Sequence, residues 1–144
     1  MIMGIAMAVL IAPPSYIYDL STLLPLTLIG MGASWIPDID WRFKHRKLLH
    51  NLLALIGFTV AFAYCLNILG FHGLGALVAV VVFAVGYLMH IVTDMLTVYG
   101  VAIFWPFSKS RYRLAKLRTD DKLSNAVLII LSVLLVVAKM LYLV

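Results

Sequence analysis

Residues 48–93 contain no Asp, Glu, Lys or Arg and read LLHNLLALIGFTVAFAYCLNILGFHGLGALVAVVVFAVGYLMHIVT. At about 1.5 Å per residue, one helix of this length would be far longer than a membrane crossing requires, so the run must fold back on itself. Gly70 and Gly73 lie near its middle and are residues typical of a turn. We therefore predict an antiparallel pair of membrane helices, Leu48–Leu69 and Leu74–Val98.

The composition of the whole chain agrees with a membrane protein. Of its 144 residues, 65% are hydrophobic and 12% are charged, and the mean hydropathy is +1.09. An ordinary soluble domain is about 45–50% apolar and about 25% charged. These values exclude a soluble globular protein and a disordered chain, and the single Cys65 excludes a disulfide-stapled module. Because no segment alternates as a membrane β-barrel does, we predict an all-α integral membrane protein whose single domain covers residues 1–144.

The charges outside the central run delimit the other membrane helices. Leu20–Pro37 is uncharged and predicts one span, and Leu123–Leu143 predicts another, with Lys139 able to extend its amine towards the membrane surface. Met1–Ala12 is apolar but short and is followed by Pro13, so a partial, a tilted and a re-entrant segment all remain open. The prediction is a bundle of four full transmembrane helices plus a short apolar N-terminal helix, a candidate fifth span.

The basic residues predict how the chain is oriented. All but one of the 11 Lys and Arg residues lie in or beside the loops 42–47 and 109–122, which alternating spans place on one face. By the positive-inside rule this face is cytoplasmic, in a multi-pass protein of the plasma or inner membrane. We expect anionic lipid headgroups as partners of these loops, and no nucleic acid, because no recognition pattern accompanies the charges. Small residues near Gly30 are compatible with a homo-oligomer.

Two groups of ionisable residues lie where the membrane disfavours them. An Asp at the centre of a membrane helix costs about 2.5–3.5 kcal/mol on insertion scales. The predicted topology brings both groups to the same membrane face, and His90 and Asp94 share one side of a helix because they are four residues apart. The candidate metal ligands are Asp38, Asp40, His45, His50, His90 and Asp94. Three Asp and three His suit one or two divalent metal ions, with Zn or Mn favoured. A structural interpretation stays open, in which His90 and Asp94 form only a helix-packing hydrogen bond and Asp40 pairs with a neighbouring Arg.

The order of these motifs resembles a known family. Pro37-Asp38-Ile39-Asp40, His45-Arg46-x3-His50 and His90-x3-Asp94-x2-Thr97 resemble the motifs of membrane-bound metal-dependent hydrolases, including multispanning inner-membrane proteins of the LexA-regulated type. The resemblance covers about residues 30–110, with metal-site motifs in 37–51 and 86–108. It implies that the six Asp and His residues are metal ligands or catalytic groups. The chain departs from the family pattern in having no His before His45, which leaves open a single metal or an inactive site.

Three functions follow as hypotheses. The first is a membrane metal-dependent hydrolase, in which a divalent cation activates water at the cytoplasmic face to cleave a lipid or a lipid-linked phosphoester. In it His45 is a ligand or general base, Arg46 clamps a phosphate and Asp94 is catalytic. The second is a metal-ion or proton-coupled transporter, since intramembrane His and Asp also mark ion pathways. The third is a non-catalytic structural subunit with a vestigial site.

Overall fold

The computed structural model of the protein describes residues 2–17, 19–42, 48–117 and 122–142, and of residues 2, 40–42 and 122–125 it describes only the backbone. The elements within these ranges are α1 (Ile2–Ile11), α2 (Pro14–Ile17), α3 (Leu20–Ala33), a 3₁₀ helix (Ile36–Arg42), α4 (Leu52–Ile68), α5 (Gly73–Met95) and α6 (Lys122–Tyr142). Over the described part of the chain there is no β-strand, only two isolated bridges. The predicted all-α class is confirmed.

Two stretches are long and apolar enough to cross a membrane. They are Leu20–Ile39, which joins α3 to most of the 3₁₀ helix, and Gly73–Met95, which is α5. Leu52–Ile68 and Ala126–Tyr142 are apolar but shorter. Four apolar helical segments therefore lie where four were predicted, but only two reach full span length, so four full spans are not shown. The outer faces of α4 and α6 expose large apolar side chains, as a lipid-facing surface does.

The predicted hairpin is formed by α4 and α5. Phe62 of α4 stacks on Phe83 of α5 with ring centroids 4.6 Å apart. Gly70 lies in the turn between the helices, and Gly73 is the first residue of α5. These two glycines have φ of +80° and +77°, a conformation that a side chain makes costly. The turn residues recognised in the sequence therefore do reverse the chain.

Capping residues set where two of the helices begin. α4 begins at Leu52, later than the predicted Leu48, because the Asn51 side chain accepts a hydrogen bond of 2.8 Å from the Ala54 N–H. α3 begins after Asp19, whose carboxylate accepts from the Ser21 N–H at 3.1 Å. The hydroxyls of Thr22 and Ser21 donate to the same carboxylate and hold the pKa of Asp19 below its usual value.

The short first helix lies inside the bundle. α1 packs against α3, α5 and α6, and its Ala6, Ala8 and Val9 side chains are buried. Its ten residues extend about 15 Å, roughly half of a hydrocarbon core. Of the three possibilities that the sequence left open for this segment, a partial span agrees with the length of α1. The position of α1 inside the bundle was not predicted.

Three glycines allow α1, α3 and α5 to approach closely. A Cβ at Gly4 of α1 would overlap the carbonyl of Gly30 in α3, and a Cβ at Gly86 of α5 would lie 2.7 Å from the same carbonyl oxygen. Small residues let membrane helices bring their backbones together in this way. We refer to Gly4, Gly30 and Gly86 as the glycine junction.

Lys139 of α6 contacts the end of α1. Its Nζ donates to the carbonyl oxygens of Val9, Leu10 and Ala12, at 3.0, 2.6 and 2.7 Å, partners that the sequence did not indicate. These carbonyls are at the carboxyl end of α1, where a helix leaves acceptors unpaired and carries partial negative charge. Lys139, which belongs to α6, thus supplies hydrogen-bond donors to the unpaired carbonyls at the end of α1.

The side-chain clusters give the direction of each helix. Leu26 and Val78 share one buried cluster, and Ala33 and Tyr87 share the other, so α3 and α5 run in the same direction. α4 runs opposite to α5, because Phe62 contacts Phe83 whereas the earlier Phe58 contacts the later Tyr87. The end of α3, the start of α4 and the end of α5 therefore meet at one end of the bundle, which is the arrangement that the topology predicted.

Candidate metal centre

The 3₁₀ helix after α3 contributes Asp38. Pro37 just before it is buried, and the Asp38 N–H donates to the carbonyl of Trp35 at 3.0 Å, which closes the first turn. The Asp38 side chain is 51% exposed, and its Oδ1 lies 3.4 Å from His90 Nε2. Asp38 is therefore the side of the cluster open to solvent.

The segment that leads into α4 contributes His50, which is 1% exposed. Two polar side chains hold the backbone around it. Asn51 Nδ2 donates to the Leu48 carbonyl at 2.7 Å, and the buried Tyr87 Oη donates to the Leu49 carbonyl at 2.6 Å. His50 is thus fixed at the end of the bundle before the helix begins.

Helix α5 contributes His90 and Asp94, one turn apart on the same side. Asp94 Oδ2 lies 3.2 Å from His50 Nε2 and 3.9 Å from His90 Nε2. The two imidazole rings have centroids 5.3 Å apart. The nearby hydroxyls of Thr93 and Thr97 donate to the backbone carbonyls of His90 and Asp94, at 2.8 Å each.

The spacing of these donor atoms fits a divalent cation. A tetrahedral Zn²⁺ with ligand distances of about 2.0–2.2 Å separates neighbouring ligand atoms by about 3.3 Å. The donor pairs of the site are 3.2, 3.4 and 3.9 Å apart, and ligand atoms of Asp38, His50 and His90 all lie within 4.8 Å of one another. Among the described residues, His90 Nε2 and His50 Nδ1 are buried without a hydrogen-bond partner. Such orphaned polar atoms are costly in a protein interior, and ligation is one way to satisfy them.

The structure brings together four of the six predicted ligands, namely Asp38, His50, His90 and Asp94. The Asp40 side chain, His45 and Arg46 lie outside the described residues, so their predicted positions have no counterpart here. The convergence of the four is confirmed, whereas the roles of all seven residues stay predictions.

Sequence reasoning left two supporting residues without a role. Tyr87 is a buried tyrosine one turn before His90, and a buried phenol needs a hydrogen-bond acceptor, which is a usable signal. Asn51 directly precedes an apolar helical run, which is the signal of an N-cap. Both residues hold the chain on either side of His50.

Comparison with known proteins places the chain in a family. The family model described as "YdjM inner membrane protein" matches residues 1–144. The chain belongs to the YdjM inner membrane protein family. Two curated relatives, both called "Inner membrane protein YdjM", come from Escherichia coli (strain K12) and Shigella flexneri. Each is 36% identical over 91 residues, which is 62% of this chain and 44% of the relative. The chain thus spans less than half of the length of these relatives. No solved structure matches it.

Membership of the YdjM family corrects the resemblance drawn from the motifs. The family model that matches residues 1–144 and the names of the relatives both describe an inner membrane protein, and neither mentions a hydrolase. The assignment to the metal-dependent hydrolase family was therefore wrong. The reason lies in the motifs themselves. A pattern such as His90-x3-Asp94 arises whenever a helix presents two polar groups on one side, so it indicates a local geometry and does not define a family. The chain is an inner membrane protein of the YdjM family with an all-helical fold.

Proposed function

We propose that the protein is a membrane-embedded, metal-dependent hydrolase that acts at the cytoplasmic face on a lipid or a lipid-linked phosphoester. One observation carries the proposal, which is the meeting of Asp38, His50 and His90 within 4.8 Å at one end of the bundle, with Asp94 in contact with both imidazoles. The residues come from three separate elements, so no single helix-packing contact accounts for the cluster. The buried His90 Nε2, which has no hydrogen-bond partner and lies 3.4 Å from Asp38 Oδ1, supports the same interpretation.

The proposed ligands are Asp38, His50 and His90, with Asp94 as a fourth ligand or as the carboxylate that orients His50. A divalent cation bound there supplies an activated water and stabilises negative charge on an attacked phosphorus or carbonyl. Zn and Mn suit a donor set of imidazole and carboxylate. His45 as a general base and Arg46 as a phosphate clamp complete the proposal.

The exposure of the site supports a substrate at headgroup depth. His50 is sealed inside the bundle, whereas about half of the Asp38 side chain is accessible. The opening is at the same end of the bundle as the loop that follows α5, which carries basic residues. A phosphate ester of a lipid would approach from this direction and meet positive charge.

The transporter alternative is less favoured by the interior of the bundle. A path for ions needs polar groups in both halves of the membrane. The cluster beyond the site is instead apolar and contains Ala8, Leu26, Val78 and Val82. A vestigial site remains the competing interpretation, and metal binding measured together with ester hydrolysis distinguishes it from an active hydrolase.

The test is metal binding and hydrolysis by the purified full chain in detergent or nanodiscs. We expect metal analysis to find bound Zn or Mn at neutral pH, and His90→Ala and Asp38→Ala to lose it. His72→Ala is the matched control, because His72 is exposed at the other end of α5 and makes no side-chain capping hydrogen bond. Turnover of a lipid phosphoester should follow metal content across the variants.

Two results would contradict the proposal. If the protein carries no metal and takes up none on titration, the centre does not exist. If metal binds and depends on His90 but no ester of the tested lipids is cleaved in its presence, the site is a metal centre without hydrolase activity.

A further inference from the structure

The segment after α5 folds into a compact lobe at the same end of the bundle as the metal centre. Within it, Val101 and Tyr112 exchange two backbone hydrogen bonds of 3.0 and 2.9 Å, and the Leu117 N–H donates to the Leu96 carbonyl at 2.9 Å. The Leu52 N–H at the start of α4 donates to the Ile103 carbonyl at 3.0 Å. We refer to this segment, residues 96–117, as the 96–117 lobe.

The lobe is strongly basic. It contains four cationic side chains and no acidic one, and all four are exposed: Lys109, Arg111, Arg113 and Lys116. Two of them are held in place. Arg111 Nη1 donates to the Tyr99 carbonyl at 3.3 Å, and Arg113 Nη1 donates to the Val98 carbonyl at 3.1 Å. The carbonyls of two consecutive residues therefore each hold one guanidinium group, and each guanidinium has five N–H donors, enough to bind a phosphate as well.

The lobe also exposes aromatic rings beside these charges. Phe107 is 87% exposed, and Tyr99, Phe104 and Tyr112 are exposed too. Phe104 and Tyr112 pack edge to face with centroids 5.4 Å apart, so they form one patch. Aromatic rings next to cations at the end of a membrane helix are typical of the membrane–water interface, where rings enter the acyl boundary and cations meet headgroups.

We propose that the 96–117 lobe is a docking surface for an anionic phospholipid, with Arg111 and Arg113 on its phosphate and the exposed rings against its acyl chains. The pairing of charge with apolar rings commits the site to a lipid, because a free phosphate would have no use for the rings. The lobe adjoins His50 through the bond from Leu52 to Ile103, so a lipid bound there lies beside the metal centre. The inference does not depend on hydrolysis, and a catalytically silent protein would still bind the lipid.

Fluorescence quenching by brominated lipids tests the proposal on the full chain in vesicles. Trp35→Phe and Trp41→Phe leave Trp105, which lies in the lobe, as the reporter among the three tryptophans. Quenching by brominated phosphatidylglycerol relative to brominated phosphatidylcholine gives the preference for the anionic lipid. We expect the protein that carries only these two Trp→Phe changes to prefer the anionic lipid clearly. Each arginine that is then removed should lower this preference by about fivefold.

The decisive comparison is between two double variants with the same net charge. Arg111→Gln/Arg113→Gln should lose the preference, whereas Lys109→Gln/Lys116→Gln should keep most of it. Arg111→Lys/Arg113→Lys retains the charge and the fold but loses the paired guanidinium geometry, so its preference should also fall. Equal losses in the Gln pairs would show diffuse attraction and overturn the proposal, as would a parent without preference.

Inorganic phosphate distinguishes a lipid site from a phosphate site. At constant ionic strength, replacing chloride with phosphate should leave the lipid preference unchanged. If phosphate abolishes the preference, the two arginines bind the free anion, and the docking surface is refuted.

Discussion

Replacing Gly86 with alanine adds one methyl group at the glycine junction, where α5 crosses α3. The new Cβ would lie 2.7 Å from the Gly30 carbonyl oxygen and 3.3 Å from its Cα. Ordinary contact begins at 3.4 Å, so the helices must separate by the difference between 3.4 and 2.7 Å, about 0.7 Å. The neighbouring atoms are backbone, which cannot rotate out of the way. We therefore expect Gly86→Ala to destabilise the protein by about 1–3 kcal/mol.

The same displacement should reach the proposed metal centre. His90 lies one turn beyond Gly86 on α5, and Asp38 follows α3, so separating the helices lengthens the 3.4 Å between His90 Nε2 and Asp38 Oδ1. A binding site tolerates only about 0.5 Å of misplacement before its geometry degrades. Metal affinity should therefore fall by about tenfold or more in the same variant.

Thermal unfolding in detergent and metal titration together measure both effects. A cost of about 1–3 kcal/mol lowers the melting temperature by about 3–10 °C in a domain of this size. Gly57→Ala is the matched control, because Gly57 also lies inside a helix but its Cβ would meet nothing within 4 Å. That control should melt at the same or a higher temperature, since alanine is the better helix former. If Gly86→Ala is as stable as Gly57→Ala, the close crossing of α3 and α5 is refuted.

Three further outcomes can be checked. Tyr87→Phe removes the 2.6 Å hydrogen bond to the Leu49 carbonyl, worth about 0.5–1.5 kcal/mol, and should weaken metal binding several-fold in titrations while the elution volume is unchanged. Lys139→Met removes three hydrogen bonds to the end of α1 and should lower the melting temperature, whereas Lys139→Arg should restore part of the loss; equal stability of the Met variant would contradict the cap. Ser110→Cys in a Cys65→Ser background should react with an impermeant maleimide only after the inner membrane is opened, and labelling of intact spheroplasts would reverse the proposed orientation.

The meeting of the site residues was predictable because it depends only on how often the chain crosses. Asp38, His50 and His90 each lie near an end of an apolar segment, and alternating directions bring those ends together whatever the details of packing. The hairpin was predictable for a similar reason. An uncharged run as long as residues 48–93 must reverse direction within the membrane, and glycines indicate the position of the turn.

The interior position of α1 was not predictable from hydropathy. Ten apolar residues have the same hydropathy whether they face lipid or pack against other helices. Only the close fit of Gly4 to Gly30 distinguishes the two positions. The partners of Lys139 were not predictable for a comparable reason, because they lie some 130 positions away in the sequence. The 96–117 lobe was expected only as a basic loop, because isolated bridges between irregular residues leave no periodic pattern in a sequence.

The contact between Lys139 and α1 joins the first described helix to the last. α1 is synthesised early, yet the cation that pairs with its terminal carbonyls arrives only with α6, after α3, α4 and α5 have been made. Until then the last turn of α1 lacks the Lys139 amine as a hydrogen-bond donor. We therefore expect α1 to settle late during biogenesis, as a segment enclosed by helices that were inserted after it.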